Sequence, residues 1–299
     1  MRGFNNPAGL AAAAAGLISA LLALWAMRGL PLGGLLLWFA PAPIFMAGLA
    51  FGPVIAWLAA ATGALVVAFS AHPFALAFYL AMFALPAALL VTLYLRPAGA
   101  NLSLPVMLLG LYPVALVALL ALVLEGQGGL EAALRDAVSQ GARRMGLAMG
   151  EGMLDAVVRV KAAAIGFWTA LLLMGNAALA QWFLRKRDLA LTGWPDLAEA
   201  RMPGWYLVAL GLAGAGFALD GGTVTLSILL LLTVPFFLMG VAAVHRRTRD
   251  RGARVWLLAS FYALMLVFLQ IMAPAMVGLG LYEQWARRPA GTPMPPPQT

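Results

Sequence analysis

Glu151 and Asp155 are the two residues best spaced for acid–base work, because carboxylates at i and i+4 share one face of a helix. To act on a lipid-like substrate they would need a further polar group converging on them. Nothing else in the chain completes a catalytic set. His72 and His245 are far apart in sequence, which argues against a histidine metal site, and the lack of cysteine removes thiolate ligands, a thiol nucleophile and disulfides together. No Gly-rich loop ends in Gly-Lys-Ser/Thr, and neither a Gly-x-Ser-x-Gly elbow nor a His-Glu-x-x-His pair is present. The chain is therefore expected to be no enzyme, to carry no cofactor or metal, and not to hydrolyse ATP itself.

Composition fixes what surrounds those residues. With 64% hydrophobic and 10% charged side chains and a mean hydropathy of +0.93, the chain lies far from the balance of a soluble domain. A bilayer-crossing helix needs roughly 20 mostly apolar residues. Such runs recur at 8–27, 32–50, 53–69, 73–95, 104–124, 162–184, 205–219, 223–244 and 255–281. The expected fold is all-α, a polytopic transmembrane bundle of eight or nine spans forming one integral domain over residues 1–288 in a bacterial inner membrane. The first run has no small-residue cleavage site after it and is expected to be an uncleaved span. The proline-rich tail at 289–299 is expected to be disordered.

The formal charge of +8 does not indicate nucleic acid, because the basic residues do not form one face. They gather at span ends, as in Arg185-Lys186-Arg187 and from Arg246 to Arg251, where they act as topology signals that mark the cytoplasmic side. That places the loops at 185–201 and 245–254 inside, and Asp220 and the segment 125–161 outside. Nine spans would then leave Arg287 and Arg288 outside, against the rule, unless a break at Pro274 stops the last segment from crossing. In the segment 128–161, Leu130, Leu134, Val138, Met145 and Met149 recur near helical spacing. This predicts an amphipathic helix on the membrane surface or capping the bundle.

No acidic or basic side chain falls at membrane depth, which disfavours a proton-coupled antiporter. What remains deep is polar but uncharged: Asn176, Gln181 and Gln270, with Trp38 beside them in depth. Pro41 and Pro43 interrupt one of the most apolar runs and strip the carbonyls near Leu37 and Phe39 of their helical partners. In lipid those groups must find a donor from protein or from a water-lined cavity. Trp38, Pro41, Pro43, Asn176 and Gln270 are therefore the candidate substrate-binding residues. The competing reading is ordinary kinks and interhelical hydrogen bonds. Ala12-x-x-x-Gly16-x-x-x-Ala20, Gly48-x-x-x-Gly52 and Ala59-x-x-x-Gly63 are small-residue seams for close helix contact.

The stretch "PAPIFMAGLAFGPVIAWLAAATGAL" is followed by "GNAALAQWFLRKR", "ARMPGWYLVAL", "PFFLMGVAAVHRRTRDRG" and "GLGLYEQWARR". Together they resemble the YybS-like family of bacterial membrane proteins, itself similar to the substrate-binding S components of energy-coupling-factor (ECF) transporters. Glu283 stands where that pattern has an aspartate. The resemblance implies a small-molecule ligand held in a helical bundle, with an ECF coupling subunit and ATPases as partners. Ala11-x-x-x-Ala15 would match the coupling contact on the first helix. The other reading is a non-transporting membrane scaffold or assembly factor.

Overall fold

The computed structural model describes residues 6–97 and 99–286, and every regular element among them is a helix. Among the described residues, seven helices are long and apolar enough to cross a bilayer, or eight if a bent pair near the C-terminal end counts as one span. A shorter apolar helix, Gly204–Asp220, accompanies them. The chain is thus an all-helical protein of the multi-pass membrane kind. Arg287, Arg288 and the tail at 289–299 lie outside the described residues.

Helix α1 (Pro7–Met27) is opened by Asn6, whose side-chain oxygen accepts the Ala8 N–H at 3.1 Å. The next span is broken into α2 (Gly33–Leu37) and α3 (Ala42–Phe51), and α4 (Pro53–Ser70) follows after a single residue. That residue is Gly52, which takes a φ of 101° that a side chain would resist, and Pro53 then starts the new helix. The seams at Gly16 and Gly63 pack on each other, a Cβ on Gly16 running into the backbone of Ala59 and Gly63, whereas Gly52 of the Gly48-x-x-x-Gly52 seam meets no neighbour and serves the turn. Ala12, Ala20 and Ala59 are buried along the same crossing. Between helices in lipid such close van der Waals contact supplies the cohesion that the hydrophobic effect supplies in water.

The fourth span starts as α5 (Pro73–Tyr79), passes through a π-helical turn (Leu80–Ala84) and continues as α6 (Leu85–Tyr94). Helix α7 (Ser103–Leu124) leads to α8 (Gly129–Arg144), the amphipathic element, which caps the bundle. Leu130 is buried and Leu134 packs on the core, while Glu131 accepts from the Thr223 hydroxyl at 2.8 Å. This helix is shorter than the apolar spacing predicts. Gly146, at φ 70°, lets the Gly146 and Leu147 N–H groups close back on Arg143 and Ala142, a glycine stop that leaves Met145 and Met149 beyond the helix. Residues 151–161, read as part of the loop, instead begin α9 (Glu151–Arg185), whose 35 residues make a rod of about 52 Å. A hydrocarbon core of about 30 Å leaves its first turns standing clear of the membrane.

Helix α10 (Gly204–Asp220) precedes a second broken span, α11 (Thr223–Leu232) and α12 (Val234–Arg247). Then come α13 (Arg254–Val267) and α14 (Leu269–Ala286), which meet at a 120° bend. The break falls at Phe268, and α14 runs straight through Pro274, where the sequence placed the interruption. A Cβ on Gly240 would strike the Met276 carbonyl, and one on Gly280 the Phe236 carbonyl, so α12 and α14 touch backbone to backbone. Arg246 and Arg247 both bind Glu283, at 2.6 and 2.8 Å. These ion pairs join the C-terminal ends of the two helices, so α12 and α14 run parallel. The bent pair α13–α14 therefore brings the end of α14 beside the basic end of α12. The sequence predicts eight or nine spans, whereas the described residues contain seven helices long and apolar enough to cross, or eight with the bent pair taken as one span.

Candidate functional site

At the break between α2 and α3 the chain loses two amide donors, at Pro41 and Pro43. The Leu37 and Phe39 carbonyls, which those donors would have served, are taken instead by Ala40 and Ala42 through tighter turn bonds of 3.1 and 3.0 Å. Ala42 is thereby drawn away from the Trp38 carbonyl, which is left without its helical partner. Asn176 of α9 supplies it: its Nδ2 donates to the Trp38 carbonyl at 2.8 Å and to the Leu172 carbonyl at 2.8 Å. Both amide protons are thus committed, and that fixes which end of the side chain is oxygen. The Oδ1 atom is buried and has no hydrogen-bond partner among the described residues. Nine residues of helix separate Asn176 from Arg185, about 13 Å, so the amide sits near mid-bilayer.

Asn176 lines a groove of about 450 Å³ with Trp38, Phe39 and Trp168. The two indoles meet edge to face with centroids 5.4 Å apart. They are 47% and 51% exposed, so the groove opens sideways, toward where the bilayer lies, while Asn176 at its floor is only 5% exposed. Trp168, Leu172, Gly175, Asn176 and Leu179 all line it from α9, following the i, i+4, i+7, i+8, i+11 pattern of one helical face. Trp168, which is not among the candidate binding residues taken from the sequence, also lines the groove. The signal that could have found it is that shared face with Asn176.

The structure brings together Trp38 and Asn176, with Pro41 fully buried and Pro43 half-buried at the break that frees the Trp38 carbonyl. Gln270 is not among the groove's lining: it is exposed at the start of α14, beyond the Phe268 bend. Gln181, also buried, pins the following loop by donating to the Thr192 and Gly193 carbonyls at 3.0 Å each. Glu151 and Asp155 do converge on a polar group, Arg135 of α8, with Glu151 at 3.2 Å. The hydrogen bond and charge of Asp155 raise the guanidinium pKa above its ordinary value. This is an exposed ion-pair clamp of α8 on α9. His72 caps its own helix, α5, by accepting the Ala75 N–H on Nδ1 at 3.3 Å, whereas His245 Nε2 meets the Tyr262 hydroxyl at 2.7 Å and ties α12 to α13.

No family model matches the chain, and neither a curated protein nor a solved structure matches it.

Proposed function

We propose that this chain is a small-molecule-binding membrane subunit of the transport type, and that its ligand enters the Trp38–Trp168 groove from the bilayer. Asn176 Oδ1 carries this reading: a buried acceptor without a partner among the described residues, on the floor of an aromatic-walled groove. A group fitting it is a hydroxyl or N–H donor on an otherwise apolar body, because the remaining lining is apolar and aromatic. The resemblance to YybS-like proteins and to S components supports the same reading. With no phosphate loop in the chain, movement of the ligand would depend on an ECF-type coupling subunit and ATPases supplied separately, in a bacterial inner membrane.

The test is to purify the protein in mild detergent, extract bound small molecules and identify them by mass spectrometry, beside the Asn176→Leu variant. The wild type should release an apolar compound bearing a hydroxyl or N–H group that the variant lacks. Adding that compound at a hundred times its dissociation constant should stabilise the wild type by about 2.7 kcal/mol. A wild type that yields no such compound, and whose melting no donor-bearing amphiphile shifts, would leave the scaffold reading in its place.

A further inference from the structure

A different face of α9 lines a second cavity, of about 130 Å³, between α6, α7 and α9 and beneath the cap α8. It is independent of the Trp38 groove and differs from it in chemistry. The hydroxyls in its lining are those of Tyr112 and Thr169, and both are spent on backbone: Tyr112 donates to the Ala81 carbonyl at 2.9 Å and Thr169 to the Ile165 carbonyl at 2.8 Å. An apolar cavity of this kind stays dry and takes hydrocarbon, as an engineered one of about 150 Å³ takes benzene. Its size suits a stretch of one alkyl chain and excludes a whole lipid.

The cavity's surroundings say which chain. Leu120 of α7 and Ile165 of α9 border it yet are 46% and 43% exposed, so it opens laterally, toward the acyl region of the bilayer. Leu130 and Leu134 of α8 close it at the end that faces away from the basic loops. Lys161 stands one helical turn before Ile165 on the same stripe of α9, exposed and without an ion pair or hydrogen bond among the described residues. The neighbouring carboxylates are engaged elsewhere, Glu131 by Thr223 and Glu151 and Asp155 by Arg135, and Glu125 forms no ion pair with Lys161. A lone cation thus sits just above an apolar, laterally open slot, at the height where a lipid's phosphate lies when its chain enters below.

We propose that this cavity holds part of one acyl chain of an anionic bilayer phospholipid, with Lys161 meeting the headgroup phosphate. The experiment uses the full chain in nanodiscs of equal phosphatidylglycerol and phosphatidylcholine, released into the gas phase for native mass spectrometry, which counts and identifies retained lipids. The wild type should retain about one phospholipid, predominantly phosphatidylglycerol. Lys161→Gln should keep a bound lipid but reduce the preference for phosphatidylglycerol about fivefold. Ala170→Leu, which fills the cavity from its buried wall, should lose both lipids while leaving small-molecule release from the Trp38 groove unchanged. If the leucine variant does not fold, Lys161→Gln decides alone. Unchanged lipid selectivity in Lys161→Gln, unchanged retention in a folded Ala170→Leu, or a wild type retaining no lipid would each overturn the proposal.

Discussion

The break at Pro41 and Pro43 and the break ahead of Pro235 pose one problem and are mended by different side chains. Each frees a carbonyl inside the bundle, Trp38 in the first and Leu232 in the second, and each receives one donor from another helix. At Leu232 the donor is the Tyr206 hydroxyl at 3.1 Å, from a fully buried side chain packed on the Phe236 ring. The π-helical turn before Pro86 is treated the same way, by Tyr112. In that turn the Leu85 N–H reaches back to the Leu80 carbonyl, so the next carbonyl, Ala81, would look to the N–H that Pro86 lacks. A tyrosine hydroxyl is therefore one way in which this bundle supplies a donor at a proline break. At Trp38 the donor is instead an amide, which brings an extra acceptor with it, and leaving such an atom buried and unpaired costs about 1–3 kcal/mol. Gln181 Oε1 is likewise buried without a partner among the described residues, so what sets the Asn176 oxygen apart is its place on the groove floor. The break at Pro235 is structural, and the break at Pro41 and Pro43 carries an acceptor that an incoming donor could use.

The largest expected effect comes from inverting the amide. In Asn176→Asp the carboxylate can no longer donate to Trp38 and Leu172, and a charge at mid-bilayer costs about 2.5–3.5 kcal/mol. That variant should give little monodisperse protein by size exclusion in detergent. Asn176→Leu comes next. It orphans the Trp38 carbonyl but also removes the unpaired Oδ1, so it should lose about 1–2 kcal/mol in thermal unfolding together with all ligand release. Tyr206→Phe is smaller. It orphans Leu232 and should lose about 0.6–1.7 kcal/mol with ligand release intact. If the last two variants affect ligand alike, or neither does, the distinction between the two breaks fails.

Local chemistry explains which parts of this arrangement were legible in the sequence. Pro41, Pro43, Gly52 and the Gly16 and Gly63 seams act through their own backbones, so their breaks, turn and crossing could be read directly. The Trp38–Asn176 contact was legible only as depth: both residues fell deep in apolar runs, while the carbonyls expected to need donors, near Leu37 and Phe39, are taken by backbone turn bonds. The bend at Phe268 was not legible. No proline or glycine marks "LVFLQIM", and the turn there goes with contacts far along the chain, Gly240 on Met276, Gly280 on Phe236 and Glu283 on two arginines. Pro274, the obvious local suspect, is carried inside a continuous helix. The extent of α8 was missed for a similar reason, because apolar spacing ran on through Met145 and Met149 while Gly146 ended the helix.

Gln270 is where the comparison predicts the least. Its depth in sequence matched that of Asn176, and depth alone grouped the two. The bundle separates them: Asn176 faces the Trp38 break and is buried, whereas Gln270 is exposed beyond the Phe268 bend and outside the groove. The Gln270 side chain forms no hydrogen bond among the described residues, so Gln270→Leu removes no polar interaction and should change thermal stability by no more than about 0.5 kcal/mol. Compound release from the groove, measured as for Asn176→Leu, should equal that of the wild type. A Gln270→Leu protein that kept its stability but lost its compound would move the ligand to the bend between α13 and α14. The unpaired oxygen of Asn176 would then be a cost of healing the chain at Trp38 and nothing more.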